Sequence, residues 1–308
     1  MRTVRRTTSV RAKTPPKRPV MVSPPEVLKR LGVSPRKALG QHFLMDEFVL
    51  ADLAEACRLG PTDTVLEIGA GPGGLTAELA KRAGSVVGVD IDEEMASLAR
   101  KRLSQYEHVC IIAADCLDYT PLELLEEGGA SAPYVATGNL PYFITQPVIR
   151  RLLEADPAPE RIVVLVQREV ARRMVGGPGQ ESLLSMSIKC YGKPEPLFDV
   201  PASAFWPPPK VQSAAVRIER LAEGDQVAGL PREVWSRFFN LLRAGFSEPR
   251  KQLHNVLSAA FGIPDAATVS MLDAAGIDVA ARGQHIGLVE WRRLFEVVEA
   301  GHPKLLDV

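Results

Sequence analysis

Asn139-Leu140-Pro141-Tyr142 is the stretch of this 308-residue chain that holds the most chemistry in the fewest residues. The Asn139 side-chain oxygen and the Leu140 main-chain carbonyl can each accept a hydrogen bond from an amino group. Pro141 fixes its own φ and so stiffens the loop that aims the carbonyl. Tyr142 offers a π-face on which a flat ring can stack. Two acceptors, a stiff turn and an aromatic face suit the exocyclic amine of a nucleobase. An ordinary strand-to-helix turn would use Asn and Pro in the same places, so the surrounding elements decide between the two readings.

Three further groups stand at the ends of apolar runs. Thr64–Ile68 reads as a buried strand and is followed at once by Gly69-Ala70-Gly71-Pro72-Gly73-Gly74. Glycines there permit a tight turn and close approach of backbone to a ligand. Ser85–Val89 is a second strand and ends in Asp90, which comes 21 residues after Gly69. That is the distance at which a nucleotide-binding fold sets an acid on ribose hydroxyls. Val109–Ala113 is a third strand and leads to Asp115, and Tyr134–Thr137 is a fourth, leading to Asn139. In open α/β sheets the carboxyl ends of the strands are where ligands bind. A nicotinamide-dependent dehydrogenase would also want a glycine turn. The spacing here is Gly-x-Gly-x-Gly, though, and no second half-site for a nicotinamide ring is evident. One nucleoside-sized ligand plus one base, as S-adenosylmethionine and its target would be, fits four such strand ends better.

The elements that must position these groups follow from apolar periodicity. Helices are expected near 26–31, 47–58, 75–82, 94–103, 145–153, 168–174 and 183–191, and a fifth strand at 161–166. Residues 197–200 and 214–218 read as a closing hairpin. The segment between them, Phe205-Trp206-Pro207-Pro208-Pro209-Lys210-Val211-Gln212-Ser213, reads as a stiff loop able to close over a base stacked on Tyr142. In that reading Phe205 is the second stacking face and Trp206 is a buried aromatic. After the linker at 221–230, helices are expected near 231–245, 249–261, 264–274 and 288–299. The architecture is therefore α/β, a Rossmann-like sheet with a small all-α C-terminal domain. The divisions are 1–22, 23–221 and 222–308.

Composition narrows the class. Apolar residues make up 46% of the chain, enough for a substantial core, and the longest apolar run is far short of a membrane span. Cys57, Cys110, Cys116 and Cys190 show neither CxxC nor Cys/His metal spacing, so a reduced, cytoplasmic protein without structural zinc is expected. Lysine plus arginine and aspartate plus glutamate both total 37, but residues 1–20 carry Arg2, Arg5, Arg6, Arg11, Lys13, Lys17 and Arg18 and no acid. Removing those 7 from 37 leaves 30 basic residues against 37 acidic ones in the body. A nucleic-acid partner must then be met by the arm or by local basic patches. The arm reads as disordered, as an RNA-contacting segment, a bare solvated tail or an organellar transit peptide. Arg232, Arg237, Arg243, Arg250, Lys251 and His254 make the C-terminal part the most basic region of the body.

In combination the motifs resemble one family, the ribosomal RNA adenine N6,N6-dimethyltransferases of the small subunit. Leu39-Gly-Gln-His-Phe-Leu44, Glu67-Ile-Gly-Ala-Gly71, Asn139-Leu-Pro-Tyr142, Gln167-Arg-Glu-Val170 and Pro207-Pro-Pro-Lys-Val-Gln-Ser213 occur in the family's order. The likeness spans about residues 36–300, and Phe246–Leu253 is similar to the family's basic helix. The resemblance implies a class I methyltransferase sheet of seven strands that binds S-adenosylmethionine. Cofactor contacts would fall to His42, Leu44, Gly69, Gly71, Asp90, Asp115 and Asn139. Asn139, Leu140, Pro141, Tyr142 and Phe205 would handle the adenine. The family usually has Asn at the position of His42, Glu at Asp90, and Arg at Pro249 and His254. The activity implied by the resemblance is dimethylation of two adjacent adenosines near the 3′ end of 16S rRNA in an immature small subunit, by a monomer with no membrane contact and no metal. Three alternatives share the core: a large-subunit rRNA methyltransferase of the antibiotic-resistance type, a DNA adenine methyltransferase, and a non-enzymatic ribosome-assembly or transcription partner.

Overall fold

The computed structural model describes residues 35–36 and 40–307. The expected basic arm, the helix near 26–31 and residues 37–39 of the first motif lie outside the described residues. Seven strands form one sheet: β1 (Thr64–Ile68), β2 (Ser85–Asp90), β3 (Val109–Ala113), β4 (Tyr134–Asn139), β5 (Arg161–Gln167), β6 (Gly192–Val200) and β7 (Ser213–Arg220). Their order is β3-β2-β1-β4-β5-β7-β6. The first five are parallel, and β7 runs antiparallel to both β5 and β6. The order reverses between β1 and β4, so the carboxyl ends of these two strands open a crevice between their outgoing loops.

Alternation within the strands assigns the two faces. Val65, Val86, Val135, Val163 and Leu165 pack against α1 (Glu47–Ala56) and α2 (Gly74–Ala80). Leu66, Ile68, Val87, Ala136, Val164 and Val166 pack on the opposite face. That face is covered by α4 (Pro121–Glu127), α5 (Thr145–Glu154), α6 (Arg168–Val175) and α7 (Leu183–Tyr191). β5 is apolar on both faces and has all of Ile162–Val166 buried, as a central strand covered on both sides must be. α3 (Glu93–Arg102) lies over the β3 end, where Ala96 and Ala99 meet Ile111.

Several boundaries differ from the sequence expectation for local reasons. α4 has no counterpart in that expectation. Thr120 starts it with a capping box to Glu123, and Pro121 stands at its first turn. β6 extends back to Gly192 through Pro194 and Pro196, which is tolerated because β6 is the edge of the sheet. The expected helix from 249 begins only at Leu253. Residues 247–252 form turns around Pro249, with Lys251 N–H donating to the Glu248 carbonyl.

The chain leaves the sheet at Arg220 and continues as α8 (Trp235–Gly245), α9 (Leu253–Phe261), α10 (Asp265–Ala274) and α11 (Leu288–Gly301). Trp291 is the centre of their packing, and a Cβ on Gly245 would come within 2.2 Å of its ring. The apolar cluster on this face runs from Leu66 through Met186 and Tyr191 to Phe238 and Trp291 without a break, so the helices share the core of the sheet.

Candidate active site

The glycine turn brings backbone to the crevice. Gly69 and Gly71 have φ of +79° and +52°, conformations that cost other residues of order 1 kcal/mol or more. A Cβ on Gly69 would lie 3.4 Å from the Asn139 carbonyl, so the turn after β1 packs directly on the segment after β4. Asp90, at the end of β2, accepts from Gly71 N–H at 2.7 Å and from Asp92 N–H at 2.9 Å. Burial pushes its carboxyl pKa up, against those two amides, which pull it down. Each carboxylate oxygen keeps a second lone pair for a ligand hydroxyl. Asp115, after β3, is set by Leu117 N–H at 2.9 Å. Behind the turn, Glu67 is 1% exposed, and its pKa is pushed up to about 8 by burial and, less, by the charge of Asp90.

The other wall is assembled from distant segments. Asn139 Nδ2 donates to the His42 carbonyl at 3.0 Å, which leaves Oδ1 as the acceptor with no hydrogen bond among the described residues. His42 Nδ1 lies 2.7 Å from the Pro207 carbonyl. A carbonyl only accepts, so Nδ1 carries the proton. The His42 and Tyr142 rings stack with centroids 6.0 Å apart and planes 27° off parallel. The Tyr142 hydroxyl pairs with Ser213 Oγ at 3.0 Å. Leu140 N–H donates to Leu165 at 3.2 Å, and its side chain belongs to the core. Pro207 and Ser213 thus tether both ends of the proline-rich loop to the site. Ahead of His42, Gln41 Nε2 donates to Asp92 at 3.0 Å, which fastens the N-terminal segment across the opening.

His42, Gly69, Gly71, Asp90, Asp115, Asn139, Leu140, Pro141 and Tyr142 all border one cleft that opens to solvent. The Leu44 and Phe205 side chains do not border it, and for Phe205 the expected stacking face is corrected here. The two residues pair across a short antiparallel bridge, Phe43–Leu44 with Phe205–Trp206, and pack into the core between Leu53, Leu165 and Val200. Phe205 is 1% exposed, so its faces are already covered and it offers none to a base in this structure. Trp206 is half-buried against Phe43 and Met95.

Other functional candidates escaped sequence reasoning. Ile91, Cys116, Phe143 and Ile144 border the cleft, and Ser213 holds Tyr142. Burial and the neighbouring Asp115 push the Cys116 thiol up to about 11 and hold it protonated. No single-residue signal marked these positions beyond adjacency to a motif. The basic residues expected to face RNA divide as well. Arg243, Arg250 and Lys251 are exposed, and Lys251 pairs with Glu248 at 2.7 Å. His254 is bound to Asp265 and Gln252 within its own helical unit, and Arg237 is bound to Glu299 and Asp307.

A parallel sheet ordered 3-2-1-4-5-7-6 with strand 7 reversed, a glycine turn after β1, acids after β2 and β3 and an Asn-Leu-Pro-Tyr turn after β4 define a class I methyltransferase. The chain belongs to the family described as ribosomal RNA adenine dimethylase, whose profile matches residues 32–297. A ribosomal RNA small subunit methyltransferase A of Dehalococcoides mccartyi is 39% identical over 275 residues, 89% of this chain and 92% of that one. A relative of the same name from Moorella thermoacetica is 34% identical over 89% of this chain and 96% of its own. Among solved structures, a dimethyladenosine transferase from Plasmodium falciparum superposes with a TM-score of 0.70 at 26% identity, covering 84% of this chain and 98% of that one. The 23S rRNA methyltransferase ErmE superposes with a TM-score of 0.67 at 30% identity, covering 83% and 99%. The chain is therefore an rRNA-methylating enzyme. No helix among the described residues is long and apolar enough to cross a membrane.

Proposed function

We propose that this enzyme dimethylates N6 of two adjacent adenosines near the 3′ end of 16S rRNA in an immature small subunit, acting as a cytoplasmic monomer with S-adenosylmethionine as donor. The observation that carries the chemistry is the orientation of Asn139, whose amide nitrogen donates to the His42 carbonyl and whose oxygen has no hydrogen bond among the described residues. The cofactor fits the chemistry of the cleft: the positive φ of Gly69 and Gly71 turns backbone along its wall, and Asp90 and Asp115 would offer acceptors to the hydroxyls of a ribose and the amino group of an adenine. When bound, S-adenosylmethionine supplies a methyl group already activated on a sulfonium.

The chain's own residues do the rest. An adenine amino nitrogen is a weak nucleophile because its lone pair is delocalised into the ring. Asn139 Oδ1 and the Leu140 carbonyl accept hydrogen bonds from its two N–H groups in the first transfer and from the one remaining N–H in the second, favour a pyramidal nitrogen and aim the lone pair; each transfer turns the sulfonium into a thioether and releases one N6 proton to solvent. Holding nitrogen and methyl in line is worth up to ~7–11 kcal/mol in favourable intramolecular cases. Tyr142, steadied by Ser213 and His42, receives the face of the base once it leaves its stack. The divisions of labour proposed are catalysis in residues 23–221 and RNA contact through 222–308, with Arg243, Arg250 and Lys251 toward phosphate.

The test is to incubate immature small and large subunits separately with the protein and labelled S-adenosylmethionine, and to map the methylated adenosines by mass. Two adjacent dimethyladenosines in the small subunit are expected. Label confined to the large subunit would assign the activity to the 23S rRNA type instead.

A further inference from the structure

Phe143 is 64% exposed and stands next to Tyr142 at the rim of the cleft. A single exposed apolar residue needs no explanation, but this one is built into the site. It borders the same cleft as Asn139 and Tyr142. Its ring atoms lie 3.6 Å from where a Cβ on Gly40 would be, and Gly40 has φ +58°, a conformation that favours glycine. One part of the ring therefore rests on bare backbone while the remainder faces solvent. The proline-rich loop is tethered to His42 and Tyr142, which border the same cleft, through Pro207 and Ser213. An open aromatic ring at the rim of the cleft that holds Asn139 and Tyr142 suits a nucleic-acid strand.

We propose that Phe143 is a stacking subsite for the nucleotide adjacent to the adenosine being methylated; this rests on the rRNA reading above. Drawing one base into the cleft strips its neighbour of a stacking partner, and that neighbour then lies at the rim with one face bare. Phe143 covers the bare face.

The experiment measures binding of immature small subunits by filter retention for the wild-type protein, Phe143→Ala, Phe143→Leu and Phe143→Trp, with S-adenosylmethionine affinity by calorimetry and thermal midpoints as controls. Phe143→Ala is expected to weaken subunit binding about tenfold, or ~1.4 kcal/mol, within the range for loss of one base–aromatic contact. Phe143→Leu should be nearly as weak and Phe143→Trp should stay within about twofold of wild type, with cofactor affinity and thermal midpoint unchanged in all three. Equal binding by wild type and Phe143→Ala overturns the subsite. Leucine binding as well as phenylalanine also overturns it, since the contact would then be apolar without stacking. Failure of the wild type to methylate small subunits would instead sink the functional reading on which the subsite rests.

Discussion

Asp90 and Asp115 are fixed by amides that lie 2 to 19 residues away in sequence, whereas Asn139, Tyr142 and His42 are fixed by partners 71 to 165 residues away. The cofactor wall is thus a set of strand ends that each carry their own local clamp. The base wall exists only when the N-terminal segment, the Asn-Leu-Pro-Tyr turn and the proline-rich loop have all docked. A wall built locally is rigid and can bind a common cofactor. A wall built from loops that hold one another is where specificity for the target is set and where small changes in one segment propagate to the others.

The sharpest way to break this division is Asn139→Ala. The variant removes the free acceptor and also the clamp on the His42 carbonyl, so both the chemistry and the docking of the N-terminal segment suffer. Single-turnover methylation of immature small subunits at saturating cofactor should fall by ~10²-fold or more, as when one preorganised polar partner is deleted elsewhere. A normal rate would reduce the stretch to a turn.

Asp90→Ala tests the opposite wall. It should orphan the Gly71 and Asp92 amides and lose contacts to the ribose, each hydrogen bond to a charged group being worth ~1.5–3 kcal/mol. Calorimetry should show S-adenosylmethionine binding weakened at least about tenfold. The rate at saturating cofactor should drop far less than in Asn139→Ala. If both variants lose rate equally with cofactor saturating, the walls are one cooperative unit and the division fails.

The same contrast explains what could be read from the sequence. The convergence of Gly69, Gly71, Asp90 and Asp115 on one cleft was legible because it follows from position at a strand end and from spacing within one βαβ unit. Asn139 to Tyr142 was legible as chemistry, yet its clamps were not. Nothing near Tyr142 points to Ser213, and nothing near His42 points to Pro207. Phe205 failed for a related reason: an aromatic beside a proline-rich loop looks free until the partner strand Phe43–Leu44 is seen to cover it. The parallel sheet was readable from its apolar runs. The first half of β6 was hidden by prolines that only an edge strand tolerates, and the turn at 247–252 by a basic pattern that continues across Pro249.

Glu67 gives a test of the cofactor wall by pH. Its folded-state pKa is about 8 against 4.5 for the ordinary carboxyl, so between those values the folded chain holds a proton that the unfolded chain has released. Stability is therefore favoured at the acid end of this window and declines as pH rises through it, by at most about 1.4 kcal/mol per pH unit. Above about pH 8 this contribution levels off. Glu67→Gln, neutral throughout, should remove that slope. Denaturant midpoints for the two proteins at pH 5, 6.5 and 8 check it, and parallel curves would mean that Glu67 is charged in the folded protein.

The smallest effect, and the one that bears most directly on how the base wall is held, concerns Tyr142 and Ser213. If Tyr142 serves by its face, Tyr142→Phe keeps the stacking surface and loses only the bond to Ser213 Oγ. A neutral hydrogen bond of this kind is worth about 0.5–1.5 kcal/mol, so activity should fall only a few-fold. Ser213→Ala should do the same, and the double variant should be no worse than either single one, because both remove one shared contact. Tyr142→Ala should lose ~1–3 kcal/mol of stacking beyond that. Additive single variants would show that the hydroxyl and the serine act apart, and the tether would then be an incidental contact. A Tyr142→Phe enzyme as slow as Asn139→Ala would move the hydroxyl into the chemistry and overturn the assignment of Tyr142 as a stacking face.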